Sequence, residues 1–262
     1  MTFFDSLVHA TADGSWLGGT KYDASRQRLL QELDAANVSR ACLVAIADHV
    51  DNDTVAAISR ENPEKFIPIG SLNPSRLRDV ASVRKPVADI AKAGFAGLKL
   101  HPRLNGYDPL DDRAVAAVRS AGEEGLVVFI DTLFRQKGVA TLHPADVADQ
   151  LAVRCPHTRI VLLHGGGSAL LQIADVVAAH QNLVLDLSFT LLRYQGSSLD
   201  LDLKYVFRML DRRTVIGSDF PEYTPSEVLA RFHELARDLA EEKQANMLHK
   251  NLTELFSTWR PR

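Results

Sequence analysis

The chain has 262 residues, 46% of them hydrophobic and 24% charged, with a formal net charge of −3 and a pI near 6.3. That length suits one large core or two small ones, and the charge excludes the basic field that a nucleic acid or an anionic membrane surface requires. Residues 1–5 carry neither the basic start nor the apolar centre of a signal peptide, and no apolar run reaches bilayer-spanning length, so a cytoplasmic protein acting on a small molecule is expected.

In chain order, apolar strand-like runs alternate with amphipathic helical patterns. The runs fall at 3–9, 41–46, 66–72, 97–101, 126–131, 160–164, 183–188 and 214–219, eight in all. Helical periodicity occupies 24–37, 51–62, 78–93, 111–124, 144–154, 168–180, 201–211 and 225–239, and a last helix over 244–256 closes the chain. Thr224-Pro225-Ser226-Glu227 carries helix-start chemistry with proline in the first turn. Eight βα repeats predict a parallel (β/α)8 TIM barrel, an α/β fold, as a single domain over 1–262 with a C-terminal closing helix. A doubly wound open sheet would more often show fewer strands. Cys42 lies in an apolar run and Cys155 precedes Pro156, so both read as reduced structural thiols rather than a metal or redox pair.

The longest irregular stretches, at 10–23, 102–110, 132–143 and 189–200, follow strands rather than helices. In a barrel these loops lie at the end where active sites are built. Polar residues collect at the strand ends: His9 on the first, Lys99 and His101 on the fourth, Asp131 on the fifth, His164 on the sixth and Asp219 on the eighth. Asp219 ends the strand Thr214-Val215-Ile216, where Gly217, Ser218 and Pro221 break the pattern; its bland alternative is a helix-capping acid. Residues two apart on a strand share a face, which aligns Lys99 with His101 and Asp5 with Leu7 and His9. If that face is the lumen, imidazoles and carboxylates converge there as zinc or a similar divalent ion would require. Asp131 could equally be a lumenal salt-bridge partner for Lys99. Arg103, Arg135, Arg193 and Tyr194 sit in the following loops, where arginines can grip a substrate carboxylate through paired bonds. Gly165-Gly166-Gly167 permits close backbone approach. No Gly-x-Ser-x-Gly elbow accompanies it, which rejects a serine esterase.

Asp5-Ser-Leu-Val-His9, Gly97-Leu-Lys-Leu-His-Pro102, Ile160-Val-Leu-Leu-His-Gly-Gly-Gly167 and Gly217-Ser-Asp-Phe-Pro221, with the helix over 248–256, resemble the amidohydrolase superfamily. They are most similar to its branch of metal-dependent hydrolases, lactonases and decarboxylases. The resemblance implies that His9 is the second histidine of the first-strand His-x-His pair and a metal ligand. It makes His164 the sixth-strand histidine, acid, base or ligand, and Asp219 the eighth-strand acid that binds metal and takes a proton from the attacking water. His101 matches the substrate-facing histidine of the fourth strand, and Lys99, Arg103, Arg193 and Tyr194 are the further substrate-binding candidates. Two positions depart from the pattern: Leu7 replaces the first histidine of the pair, and Asp131 stands where the fifth strand usually offers histidine. Leucine cannot coordinate a metal, and a carboxylate at 131 favours harder ions than zinc. The ligand set implied is thus His9, Asp131, His164 and Asp219; a divalent metal, zinc or manganese, and a metal-free site both stay open.

The expected activity is hydrolysis of a small anionic amide, lactone or ester by water activated at Asp219, with His164 as acid or base. A non-oxidative decarboxylase and a non-catalytic metabolite-binding relative are the alternatives, and the oligomeric state, homo-oligomer included, is left open.

Overall fold

The computed structural model describes residues 2–19, 21–134 and 142–260. Eight parallel strands follow one another around a single sheet in chain order: β1 (Phe3–Val8), β2 (Val38–Val44), β3 (Phe66–Ser71), β4 (Gly97–Leu100), β5 (Val127–Asp131), β6 (Ile160–Leu163), β7 (Leu183–Asp186) and β8 (Thr214–Val215). The ring closes through main-chain bonds between β1 and the segment after β8. Ser6 N donates to Ile216 O at 3.0 Å, Asp219 N to Leu7 O at 2.9 Å and His9 N to Phe220 O at 2.9 Å. This is the (β/α)8 barrel that the alternating pattern predicts.

The strands form where β-branched and other apolar residues are buried on both faces, as parallel strands require. Around them run α1 (Arg26–Ala35), α2 (Asn52–Glu61), α3 (Arg84–Lys92), α4 (Pro102–Asn105), α5 (Asp112–Glu123), α6 (Pro144–Arg154), α7 (Leu170–Ala179), α8 (Thr190–Arg193), α9 (Leu199–Met209) and α10 (Pro225–Leu235). At the C-terminus α11 (Glu241–Ala245) continues through a wider turn at Asn246–Lys250 into α12 (Asn251–Leu255). Side-chain caps fix the starts of several helices: Asp51 accepts from Thr54 N at 2.6 Å, and Thr224 and Glu227 form a reciprocal pair ahead of α10. The short helices α4 and α8 lie in stretches that read as loops in the sequence; four residues are too few for a helical period to show.

Two apolar layers result. Outward-facing Leu43, Leu98, Leu100, Val128, Ile130, Leu162 and Leu185 pack under the helices, while Val44, Ile69, Phe129, Val161, Leu163 and Val215 fill the lumen. Leu252, Leu255 and Phe256 plug the lumen from the closing helix, with the Phe129 and Phe256 rings stacked 6.3 Å apart. Each such side chain contributes roughly 1.5–3 kcal/mol by leaving water. The apolar plug holds one end of the barrel shut and leaves the carboxyl ends of the strands for polar groups.

Plain alternation fails on β1. Asp5 pairs with Ala41 and Val8 with Leu43, so three steps on β1 oppose two on β2, which is a bulge. Phe4 and Leu7, three apart, therefore both join the lumenal cluster, while Phe3 and Val8 face the helices. The simple period that aligned Asp5 with Leu7 and His9 is broken here, and the extra residue aims His9 into the barrel mouth.

Candidate active site

A cavity of about 220 Å³ opens at the carboxyl ends of the strands, lined by His9, Lys99, His101, Arg103, His164 and Asp219 with Trp16, Ile46, Leu104, Leu133, Phe189 and Glu222 among its walls. Hollows against Trp259, at the amino ends of β4 and β5, hold none of these imidazoles or acids. Four of the lining residues adopt left-handed backbone although none is glycine: Leu17 at φ 50°, His164 at φ 65°, Phe189 at φ 62° and Asp219 at φ 57°. Such conformations persist where surrounding bonds over-determine them, and they cluster at functional sites. At Asp219 the restraints are the closing bond to Leu7 O and the tight packing of Gly217, where a Cβ would collide with Ser6 Oγ and Leu7 N. At His164 they are the bonds of its main chain to Asp186 Oδ1 (3.2 Å) and Thr190 Oγ1 (2.6 Å), followed by Gly165, Gly166 and Gly167, all at positive φ.

His9 and Asp219 form one pair. His9 Nδ1 lies 2.6 Å from the Val44 carbonyl oxygen, which can only accept, so the ring hydrogen belongs on Nδ1. His9 Nε2 then faces Asp219 Oδ1 at 3.6 Å. Burial chiefly drives the His9 pKa below 6.5, against the pull of the nearby Asp219 carboxylate, so the neutral ring is favoured. Burial would raise Asp219, but the charge of His164, the nearness of His9 and the charge of Lys99 outweigh it and hold the acid below 3.8. The Trp16 ring lies over His9 with centroids 5.0 Å apart, and its Nε1 donates to Glu222 Oε1 at 2.7 Å. That bond ties the loop after β1 to the loop after β8 beside this pair.

A second cluster surrounds Asp131, which is wholly buried. Arg103 grips it with both arms of its fork, Nε to Oδ1 at 3.3 Å and Nη2 to Oδ2 at 3.1 Å. His164 Nε2 and His101 Nε2 approach Asp131 Oδ2 at 3.4 and 3.6 Å. Burial alone would raise Asp131, yet its cationic and imidazole neighbours, His101 first among them, put it well below 3.8. Behind His164, Ser188 Oγ donates to Asp186 Oδ1, as does Ser6 Oγ to Oδ2. Ser188 O and Oγ are therefore both acceptors for His164 Nδ1, at 3.2 and 3.1 Å. Burial opposes charge on His164, but Asp219 and Asp131 prevail and raise its pKa above 6.5. His101 goes the other way, well below 6.5, mainly through burial. The mouth of the barrel thus combines a carboxylate beside an imidazole whose neutral form is favoured with an imidazole whose charged form is favoured beside a second carboxylate.

Lys99 is 1% exposed, and among the described residues its Nζ makes no hydrogen bond and no ion pair within 4 Å. The salt bridge that could have joined it to Asp131 is made instead by Arg103, which reaches the acid from α4. Arg193 and Tyr194 do not line the cavity: Arg193 is exposed, and Tyr194 lies against Gly167 outside it. Arg135 falls outside the described residues. Trp16, Ser188, Phe189 and Glu222 escaped the sequence reading; only Ser188, two residues beyond Asp186 on one strand face, carried a legible signal.

The four residues expected to share a metal divide between the two clusters, His9 with Asp219 and His164 with Asp131. Leu7 offers no donor, and both Asp131 oxygens already accept from a guanidinium. Among the described residues no three histidine, cysteine, aspartate or glutamate side chains are arranged to hold a metal ion. The donor set present does not fit a divalent ion.

A family model described as amidohydrolase matches residues 15–257. Among solved structures, an uncharacterised TIM-barrel protein of Bordetella bronchiseptica superposes with a TM-score of 0.84 at 18% identity, covering 98% of this chain and 99% of that one. A probable 2-pyrone-4,6-dicarboxylic acid hydrolase of Acinetobacter baumannii, with citric acid bound, gives 0.71 at 15% identity over 98% and 100%. A 5-carboxyvanillate decarboxylase of Novosphingobium aromaticivorans, complexed with manganese and a nitrobenzoic acid, gives 0.70 at 14% over 98% and 96%. At these identities the likeness is one of fold. No curated protein matches the sequence.

Proposed function

We propose that this chain, which belongs to the amidohydrolase family, is a hydrolase that opens a small anionic lactone, ester or amide with water activated at Asp219. The observation that carries this reading is the approach of His9 Nε2 to Asp219 Oδ1 at 3.6 Å while His9 Nδ1 is committed to Val44 O. Two acceptors facing one another favour a donor shared between them, and water donates one hydrogen to each. Asp219, ionised below the usual carboxylate range, then takes the proton as the water oxygen attacks.

On the other side of the cavity His164 is the acid. Asp219 and Asp131 raise its pKa above 6.5, which favours the charged ring, and Ser188 fixes Nδ1 so that Nε2 holds the proton that is passed on. Protonating the leaving oxygen or nitrogen from Nε2 completes the cleavage. Lys99 and Arg103 supply positive charge where a substrate carboxylate or a developing oxyanion would sit. His101, neutral and buried, lines the same wall. No step calls on a metal ion, because the donors do not suit one.

The test is to offer purified protein a panel of small carboxylated lactones, esters, amides and aromatic acids, following proton release and carbon dioxide release separately. Proton release without carbon dioxide supports hydrolysis. Carbon dioxide would assign the chain to decarboxylation, and neither product would leave a metabolite-binding barrel.

A further inference from the structure

Asp131 stands at the carboxyl end of β5, and its two oxygens are held by one planar cation, Arg103, projected from α4 immediately after β4. Lys99, on β4 itself, brings a second cation to the same cavity with its Nζ unengaged by hydrogen bond or ion pair within 4 Å among the described residues. Arg103 Nη1 likewise has no hydrogen bond or ion pair to a described residue, although its Nε and Nη2 are committed. A divalent ion entering here would meet two fixed positive charges, an acid already neutralised, and Leu7 in place of an imidazole.

We infer that Arg103, clamped on Asp131, and Lys99 together take the place of the divalent ion in this barrel, so that the cavity binds a small carboxylate directly on protein cations and binds neither zinc nor manganese. Asp131 is then the anchor of Arg103 rather than a ligand, and the free N–H groups of Arg103 Nη1 and Lys99 Nζ are the donors that a carboxylate oxygen pair would meet. Burial chiefly, with the Arg103 charge, pulls the Lys99 pKa down from 10.5, while Asp219, Asp131 and Asp186 oppose the fall. The inference rests on the cavity being the binding site and not on the reaction carried out there, so a failed hydrolysis assay leaves it standing.

The test needs no substrate. Protein purified without chelator is analysed for zinc and manganese, then titrated calorimetrically with zinc chloride, manganese chloride and malonate, with melting temperature recorded alongside. Expected are no stoichiometric metal, no metal-dependent rise in melting temperature, and malonate binding that Lys99→Met weakens roughly ten- to a hundredfold. Arg103→Lys keeps a charge for Asp131 but loses the fork, and should weaken malonate similarly. If Arg103→Lys fails to fold, Lys99→Met still decides the anion half of the inference. One equivalent of tightly bound zinc or manganese, or malonate binding unchanged in Lys99→Met, overturns it.

Discussion

His9 Nε2 lies 3.6 Å from Asp219 Oδ1, and the Val44 carbonyl holds the ring's hydrogen on its far side. A neutral imidazole and a carboxylate therefore meet acceptor to acceptor at the mouth of the barrel. Both are delivered by main-chain closure of the ring, since His9 N bonds Phe220 O and Asp219 N bonds Leu7 O. The geometry that completes the fold is the geometry that builds the site.

The pH dependence follows from the opposite directions of two shifts. Asp219 sits below 3.8 and His164 above 6.5. Turnover should rise through a limb on the acid side of 3.8, hold a plateau, and fall through a limb above 6.5 as His164 loses its proton. His164→Gln should lower the rate about 10²- to 10⁴-fold and remove the alkaline limb. An unchanged limb in the variant would transfer the titration to Lys99. The stability linkage has the same signs. The folded-state value of His164 is raised, so its contribution is complete below 6.5 and lost as pH climbs through the higher folded value. That of Asp219 is depressed, so its contribution is present above 3.8 and lost as pH falls through the lower one.

Asp5 gives a third signature. Its Oδ1 accepts from Leu7 N and Ser218 N, but buried Oδ2 has no hydrogen-bond partner among the described residues, and burial pushes its pKa up to about 7. A carboxyl whose folded value is raised is penalised when ionised, so the fold should lose stability as pH rises from 3.8 towards 7. The loss is on the order of 4 kcal/mol for a shift of about three pH units. Asp5→Asn should melt higher than wild type at pH 8 and no higher at pH 4. Equal melting curves at both values would show that the buried acid carries no such penalty.

The lumenal plug sets stability without touching the chemistry. Phe256, 5% exposed and stacked on Phe129, closes the end of the barrel away from the site. Phe256→Ala should cost about 3–5 kcal/mol in denaturant unfolding with KM unchanged in the folded fraction. A variant of wild-type stability would mean that the closing helix contributes little to the core.

Trp16 and Glu222 join two loops over the His9–Asp219 pair through a 2.7 Å bond. Trp16→Phe keeps the ring over His9 and removes the donor. KM should rise roughly tenfold with kcat less affected, since a hydrogen bond to a charged group contributes about 1.5–3 kcal/mol. A change in kcat alone would place Trp16 in the chemistry rather than in closing the cavity.

The eight strands were legible because parallel strands buried on both faces leave continuous apolar runs, and every expected run contains its observed strand apart from the first residues of β2. The strand-end residues His9, Lys99, His101, His164 and Asp219 were legible for the same reason, as polar groups where such runs stop. What lay beyond reach depends on local geometry that no period encodes. The β1 bulge shifts the facing of Leu7 by one residue, and four-residue α4 turns Arg103 inward onto Asp131. The equally short α8 leaves Arg193 exposed. A loop arginine looks the same in sequence whether it faces a buried acid or solvent.

The most direct measurement is turnover in ¹⁸O-labelled water by wild type and Asp219→Asn, with melting curves for both. One labelled oxygen in the acid product of wild type, and product lost from a variant that melts normally, is the expected result. Label incorporated at the wild-type rate by Asp219→Asn, or a product formed without label, would show that Asp219 does not activate the attacking water.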